Sequence, residues 1–264
     1  MKKFTTKKSL GQNFLVNKGI LDKIIRAAEL DKNDTILEIG PGEGILTEKL
    51  AEKASKVIAV EKDRRLIVPL QEKFKNKSVE IIKADILKFK IENLKFHDFG
   101  YKIVGNIPYY ITSHLLKTIF EEWPAPKLIV LMVQKEVAQR MVAKPPHMNL
   151  LALSVQLYTE PKIVSYVSKG SFRPIPKVDS AVIRLVLNSN QRLTTNPFDR
   201  LRVLSLSKDD QQQFFKLIKT AFAGKRKQLK NTIGAEILQK TGIRPESRPE
   251  ELSLNDWLKI VSRV

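Results

Sequence analysis

Cysteine is absent from this 264-residue chain. Its absence excludes disulfides, thiolate metal sites and cysteine nucleophiles together. No run of apolar residues is long enough to cross a bilayer as a helix. The first residues, Met1 to Thr6, are basic but have no apolar stretch behind them, so no secretory signal is expected. These gaps point to a cytoplasmic protein without a metal. Acidic residues are also in the minority. The 47 Lys and Arg face 28 Asp and Glu, a net charge of +19. A lysine surplus kept for solubility gives the same total. The clustering favours a polyanionic partner, with RNA, DNA and an anionic membrane as the candidates. Lys2, Lys3, Lys7, Lys8 and Lys18 fall within the first twenty residues with no acid among them. Lys216, Lys219, Lys225, Arg226, Lys227 and Lys230 form a second acid-free run between Gln211 and Ile233.

The hydrophobic fraction of 42% is ordinary for a globular protein, and the length suits one α/β domain with a small second one. Ile20, Leu21, Ile24, Ile25 and Ala28 have helical spacing, with Asn17 as N-cap. Strand-like runs then alternate with helical patterns. The strands are expected at 35–39, 57–60, 79–82, 102–105 and 128–133, and two more at 163–167 and 181–187. Helices are expected near 45–50, 64–74, 112–122, 134–142 and 150–157. Such alternation implies a mostly parallel sheet with helices on both faces, and the last two strands are expected to add an antiparallel edge. Residues 188–210 are polar and aperiodic, and read as a mobile surface insertion. From Gln211 onward the pattern is helical and basic, with breaks at Gly224, Gly234 and Gly242. The expected organisation is therefore a domain over 1–187, a linker over 188–210 and a small all-α domain over 211–264.

Ligands of open parallel sheets bind at the carboxyl ends of the strands. Four strand ends carry notable residues: Gly40 to Gly44, Glu61, Asp85 and Asn106. The glycines are spaced G-x-G-x-G at 40, 42 and 44. A dinucleotide fingerprint wants its third glycine at position 45, which is Ile45. The loop suits a cofactor with no pyrophosphate to cradle, such as S-adenosylmethionine. Glu61 lies 21 positions after Gly40, the usual distance for an acid that accepts from both ribose hydroxyls. Asp85 is placed to accept from the cofactor's adenine amine. Each of these taken singly reads equally well as a turn glycine or a solvated acid; it is their convergence that makes a site. Glu38 sits within a strand of Ile and Leu, where a buried carboxyl needs partners. It either holds loop or cofactor donors or makes a structural hydrogen bond.

Asn106-Ile107-Pro108-Tyr109 follows the fourth strand. It is similar to the [Asn/Asp/Ser]-Pro-Pro-[Tyr/Phe/Trp] motif of methyltransferases that act on amino groups. An adenine N6 lone pair is delocalised into the ring and is a poor nucleophile. Two acceptors on its N–H bonds stabilise the charge that grows on it. The expected acceptors are the Asn106 side-chain oxygen and the Pro108 carbonyl, and Tyr109 supplies a ring for stacking, worth about 1 to 3 kcal/mol. No strong general base is required, and no histidine is placed to act as one.

The chain resembles the small-subunit ribosomal RNA adenine dimethyltransferases, the kasugamycin-resistance family, nearly end to end. The matching stretches are Ser9 to Leu15, Glu38 to Gly42, Gly105 to Tyr109, Phe172 to Val182 and Ala221 to Leu229. The resemblance implies a Rossmann-like S-adenosylmethionine-dependent methyltransferase fold with a seven-stranded sheet. It implies transfer of four methyl groups to N6 of two adjacent adenosines in the 3′-terminal hairpin loop of 16S rRNA, within the immature 30S subunit, by a monomer. It also implies cofactor contacts at Asn13, Leu15, Gly40, Gly42, Glu61, Asp85 and Asn106. Phe172 matches the aromatic expected on the other face of the target base, and reads equally as a core anchor. Pro145 to Leu150 lacks the Tyr-Gly common in the family. Two other readings share the fold: a macrolide-resistance methyltransferase of large-subunit rRNA, and a non-catalytic RNA-binding assembly factor. Pro176 to Ala181 favours the small-subunit enzyme, and intact Asn106, Glu61 and Asp85 favour catalysis.

Overall fold

The computed structural model describes residues 11–94, 100–187, 207–224 and 227–263. The lysines at 2, 3, 7 and 8, residues 188–206 of the expected insertion, and Lys225 and Arg226 lie outside the described residues. By its internal contacts the chain divides into two compact units.

The first unit is built on β1 (Phe14–Leu15), α1 (Lys18–Ala27), β2 (Thr35–Ile39), α2 (Ile45–Ala51), β3 (Lys56–Glu61), α3 (Arg64–Lys73), β4 (Val79–Lys83), β5 (Tyr101–Asn106), α4 (Thr112–Glu121) and β6 (Leu128–Gln134). α5 (Lys135–Met141), α6 (Leu150–Tyr158), β7 (Thr159–Val167), β8 (Phe172–Arg173) and β9 (Ser180–Leu187) follow in the chain. Seven strands form one sheet in the order β4-β3-β2-β5-β6-β9-β7. β4, β3, β2, β5 and β6 pair in parallel. β9 returns antiparallel to β6, matching Ser180 with Gln134 and Val186 with Leu128. The antiparallel strand is thus the sixth position, with β7 outside it.

β2 is buried along its whole length, as expected for a parallel strand covered on both faces. The core on one side gathers Leu21, Ile24, Ile36, Leu50, Val104, Val130 and Phe172. Local chemistry sets the helix starts. Asn17 Oδ1 accepts from Ile20 N–H at 3.3 Å, and Asp63 Oδ1 accepts from Arg65 N–H at 3.1 Å. β1 and β8 form a separate two-stranded ribbon, pairing Phe14 with Arg173 and Leu15 with Phe172.

The second unit takes residues 139–161 from the middle of the chain, together with the C-terminal helices α7 (Lys208–Ala223), α8 (Ala235–Lys240) and α9 (Leu254–Val261). Ala152, Leu153 and Leu157 of α6 share a core with Phe214, Ile218, Leu238 and Trp257. The grouping differs from a division at residue 187, because the buried face of α6 packs on α7. Helix α7 also starts three residues earlier than its apolar pattern suggested. Ser207 and Asp210 form a reciprocal capping box that makes the polar 207–210 stretch a helix start.

Candidate active site

The carboxyl ends of β2, β3, β4 and β5 meet in one cleft. Gly40 to Glu43, Glu61 and Lys62, Ala84 to Leu87, and Asn106 to Ile111 line it. An N-terminal arm, Gly11 to Leu15, forms a further wall. Its course is held by the β1–β8 ribbon and by Val16 N–H donating to the Ser171 carbonyl at 2.9 Å.

Gly40, Gly42 and Gly44 adopt φ of 72°, 57° and 73°, where a side chain is strained. At Gly42 a Cβ would also stand 2.9 Å from the Phe14 ring. This glycine therefore lets the arm close over the loop as well as leaving backbone bare for a ligand.

Glu61 is buried, and both its oxygens are anchored. Oε2 accepts from Gly42 N–H at 3.2 Å and Oε1 from Asp63 N–H at 2.8 Å. Burial pushes its carboxyl above the ordinary range, against the Asp63, Gly42 and Lys62 N–H groups. Asp63 in turn accepts from Gln12 Nε2 at 2.8 Å and from the Arg65 guanidinium at 2.6 Å. The Arg65 hydrogen bonds hold Asp63 well below the usual carboxylate range. Gln12 thereby ties the arm to the element that aims Glu61.

Glu38 lines the same cleft and is 1% exposed. Burial pushes its carboxyl up to about 8. Its Oε2 has no hydrogen-bond partner of good geometry, while the Thr47 hydroxyl beside it works against that rise. An orphaned buried carboxyl has a desolvation cost that a bound donor would offset. Asp85 caps a short 3-10 turn through Leu87 N–H at 3.2 Å and pairs with Lys62 Nζ at 2.8 Å. Burial raises its carboxyl, but the Lys62 and Leu87 donors outweigh this and hold it low, hence ionised. The set fits S-adenosylmethionine. Glu61 retains lone pairs that could take a ribose diol, Asp85 could accept from an amine, and Glu38 offers one unpaired oxygen to a further donor.

The Asn106–Tyr109 segment is positioned by a contact 93 residues away in sequence. Asn106 Nδ2 donates to the Asn13 carbonyl at 3.0 Å. A carbonyl can only accept, so this bond settles which way the amide faces. Asn106 Oδ1 is left as an acceptor that no described residue engages. The Pro108 carbonyl accepts from Ile111 N–H at 3.2 Å, closing the 3-10 turn over Tyr109–Ile111, which engages one of its two lone pairs. The Ile107 carbonyl, on the same cleft wall, has no donor among the described residues. The Tyr109 ring is half-buried, its hydroxyl 2.6 Å from Ser180 Oγ, and burial raises its pKa.

The structure brings Asn13, Leu15, Gly40, Gly42, Glu61, Asp85, Asn106, Pro108 and Tyr109 to one cleft. Phe172 is not brought there. It is fully buried in the sheet core opposite Leu15 and lines no part of the cleft, which places it as the core anchor. Gln12, Lys62, Ile107 and Tyr110, to which sequence reasoning had assigned no role, line the cleft, and Asp63 braces Gln12 and Glu61 beside it. Gln12 stood inside the Ser9 to Leu15 stretch, and Asp63 before two arginines is an N-cap signal. Neither described histidine lines the cleft. Among the described residues no His/Asp/Glu group is arranged to hold a metal, and no helix is long and apolar enough to cross a membrane.

A small-subunit ribosomal RNA methyltransferase A from Dehalococcoides mccartyi (strain CBDB1) is 42% identical, over 96% of this chain and 87% of its own length. The protein of that name from Pelotomaculum thermopropionicum is 39% identical over 96% and 90%. Among solved structures, a dimethyladenosine transferase from Plasmodium falciparum superposes with a TM-score of 0.76 at 29% identity, over 94% of this chain and 95% of the other. The 23S rRNA methyltransferase ErmE superposes with a TM-score of 0.71 at 27% identity, over 95% and 99%. These likenesses span the sheet and the C-terminal helices alike. The family profile "Ribosomal RNA adenine dimethylase" matches residues 3–264, and the chain belongs to that family.

Proposed function

We propose that this protein dimethylates N6 of two adjacent adenosines in the 3′-terminal hairpin loop of 16S rRNA, acting as a monomer on the immature small subunit in the cytoplasm. The observation that carries the chemistry is the orientation of Asn106. Its Nδ2 is held by the Asn13 carbonyl, so Oδ1 faces away as an acceptor for one N–H of the target amine.

Bound at the Gly40–Gly42 loop, Glu61 and Asp85, S-adenosylmethionine supplies an electrophilic methyl group. The chain's own residues prepare the nucleophile. Asn106 Oδ1 takes one amine N–H. The Ile107 carbonyl takes the other, since both its lone pairs are uncommitted while Pro108's is shared with Ile111. Two acceptors direct lone pairs at the N–H bonds, raise electron density on the nitrogen and stabilise the positive charge that develops there. Tyr109 stacks the extruded base. Glu38 takes a donor from the cofactor's amino-acid end.

The basic helical unit docks the rRNA through phosphate contacts that position rather than specify. Lys216 and Lys219 lie on the exposed face of α7, and Lys227 and Lys230 follow it. Identity of 36–42% to proteins named for the small subunit, against 27% to the 23S enzyme ErmE, favours the small-subunit target. Purified protein with S-adenosylmethionine and 30S subunits lacking the modification is expected to yield dimethyladenosine in 16S rRNA. Asn106→Ala should lower the rate by at least about 100-fold while RNA binding stays within twofold. Methyl incorporation into 23S rRNA alone would overturn the target.

A further inference from the structure

Six large apolar side chains are exposed among the described residues: Val16, Val68, Tyr110, Tyr166, Ile175 and Val178. Scattered singly, such residues are ordinary. Tyr110 differs in place, because it is the one that lines the catalytic cleft. It is also the most exposed, at 63%, although it follows Tyr109 directly in the turn that carries the catalytic segment.

Its ring is seated. Gly11 of the arm lies against the Cδ1–Cε1 edge, where even a Cβ on that glycine would stand 3.4 to 3.5 Å away. Gly11 has φ of 60°, so the bare backbone there lets the arm turn beside the ring. Lys62 lines the same cleft, and its ammonium is fixed by Asp85 at 2.8 Å. The result is an aromatic ring open to solvent, braced by the arm, on the cleft proposed to take a flipped base.

A base leaves its stack to enter such a site, and the neighbouring base loses a partner. We infer that Tyr110 is a substrate-binding residue that stacks the unpaired RNA base adjacent to the adenine held by Tyr109. The two consecutive tyrosines then serve two consecutive nucleotides, the inner ring for the reacting base and the outer ring for its neighbour. Every base has a π face, so the contact holds the strand whichever of two adjacent adenosines is reacting. This inference rests on the proposed action on rRNA.

The test compares Tyr110→Ala and Tyr110→Phe with the unaltered protein on unmodified 30S subunits, with the affinity for S-adenosylhomocysteine measured separately by calorimetry. Tyr110→Ala should lower kcat/KM for the subunit by about 5- to 100-fold, the range that loss of one stacked base produces, and leave S-adenosylhomocysteine affinity within twofold. Tyr110→Phe, which keeps the ring, should stay within about threefold on both. Unchanged kcat/KM in Tyr110→Ala overturns the inference. So does a loss confined to cofactor affinity, which would make the ring a cover for the cofactor, or an equal loss in Tyr110→Phe, which would assign the role to the hydroxyl. If the unaltered protein methylates no 16S rRNA, the proposed function fails first, and the two failures are told apart by that control.

Discussion

The two ends of the central sheet both bury charge and treat it in opposite ways. At the amino ends, Lys102 Nζ donates to Asp34 Oδ2 at 2.7 Å and to the Glu29 carbonyl at 2.6 Å. Asp34 Oδ2 also accepts from Asp31 N–H at 2.8 Å. Arg184 adds bonds to the Ala27 carbonyl at 3.2 Å and to Glu29 at 2.9 Å. Every buried charge there is answered within the protein. At the carboxyl ends, Glu38 keeps an oxygen with no partner, Asn106 keeps a free acceptor, and Glu61 is held by two donors with lone pairs to spare. Paired buried charge staples a fold, whereas an unpaired buried carboxyl oxygen that lines a cleft is placed to meet a ligand donor.

The comparison can be broken most severely at the stapled end. Lys102→Met leaves Asp34 buried without its cation, and should cost about 3 to 5 kcal/mol of stability. Urea unfolding would show it. Cofactor affinity of the folded variant should be unchanged, and a matching loss of affinity would erase the distinction between the two ends.

Glu38 gives the next effect. Its folded pKa of about 8 lies above the ordinary 4.5. Below about pH 4.5 the carboxyl is protonated whether folded or not, and stability is undiminished. Between there and pH 8 the unfolded chain ionises first, so stability falls as pH rises. Glu38→Gln should therefore flatten the decline of Tm between pH 5 and 9 in the cofactor-free protein, raise Tm at pH 8, and weaken S-adenosylhomocysteine binding. A Tm profile parallel to that of the unaltered protein would show that Glu38 is not a stored cost.

The smallest effect concerns Tyr109. Ser180→Ala removes the hydroxyl at 2.6 Å from its phenol, and should cost about 1 kcal/mol in stability with a loss of activity below tenfold. A loss as large as that of Asn106→Ala would make the hydroxyl pair part of the chemistry rather than a brace for the ring.

Much of this was legible because it is local. Alternation of apolar runs with helical spacing located every strand of the main sheet, and the strand-end residues Gly40, Gly42, Glu61, Asp85 and Asn106 do meet in one cleft. The Asn-Ile-Pro-Tyr segment named the chemistry. Its details were less legible. Pro108 is an expected acceptor because its backbone is rigid, and the turn that follows engages one of its carbonyl's two lone pairs with Ile111, which no local pattern announces. Phe172 matched an aromatic for the target base, but strand pairing with Leu15 turns it into the core.

By itself the sequence determined the α/β alternation, the glycine loop and the acid at each strand end, since backbone propensity and hydrophobic period act over a few residues. Only the tertiary structure decided how the Asn106 amide faces, which carbonyl stays free, where Phe172 points and which helices share a core with α6. Those outcomes depend on partners such as Asn13 and Asn106, 93 positions apart. A donor reveals its acceptor only when folding has brought the two within 3 Å, and no local pattern encodes that distance.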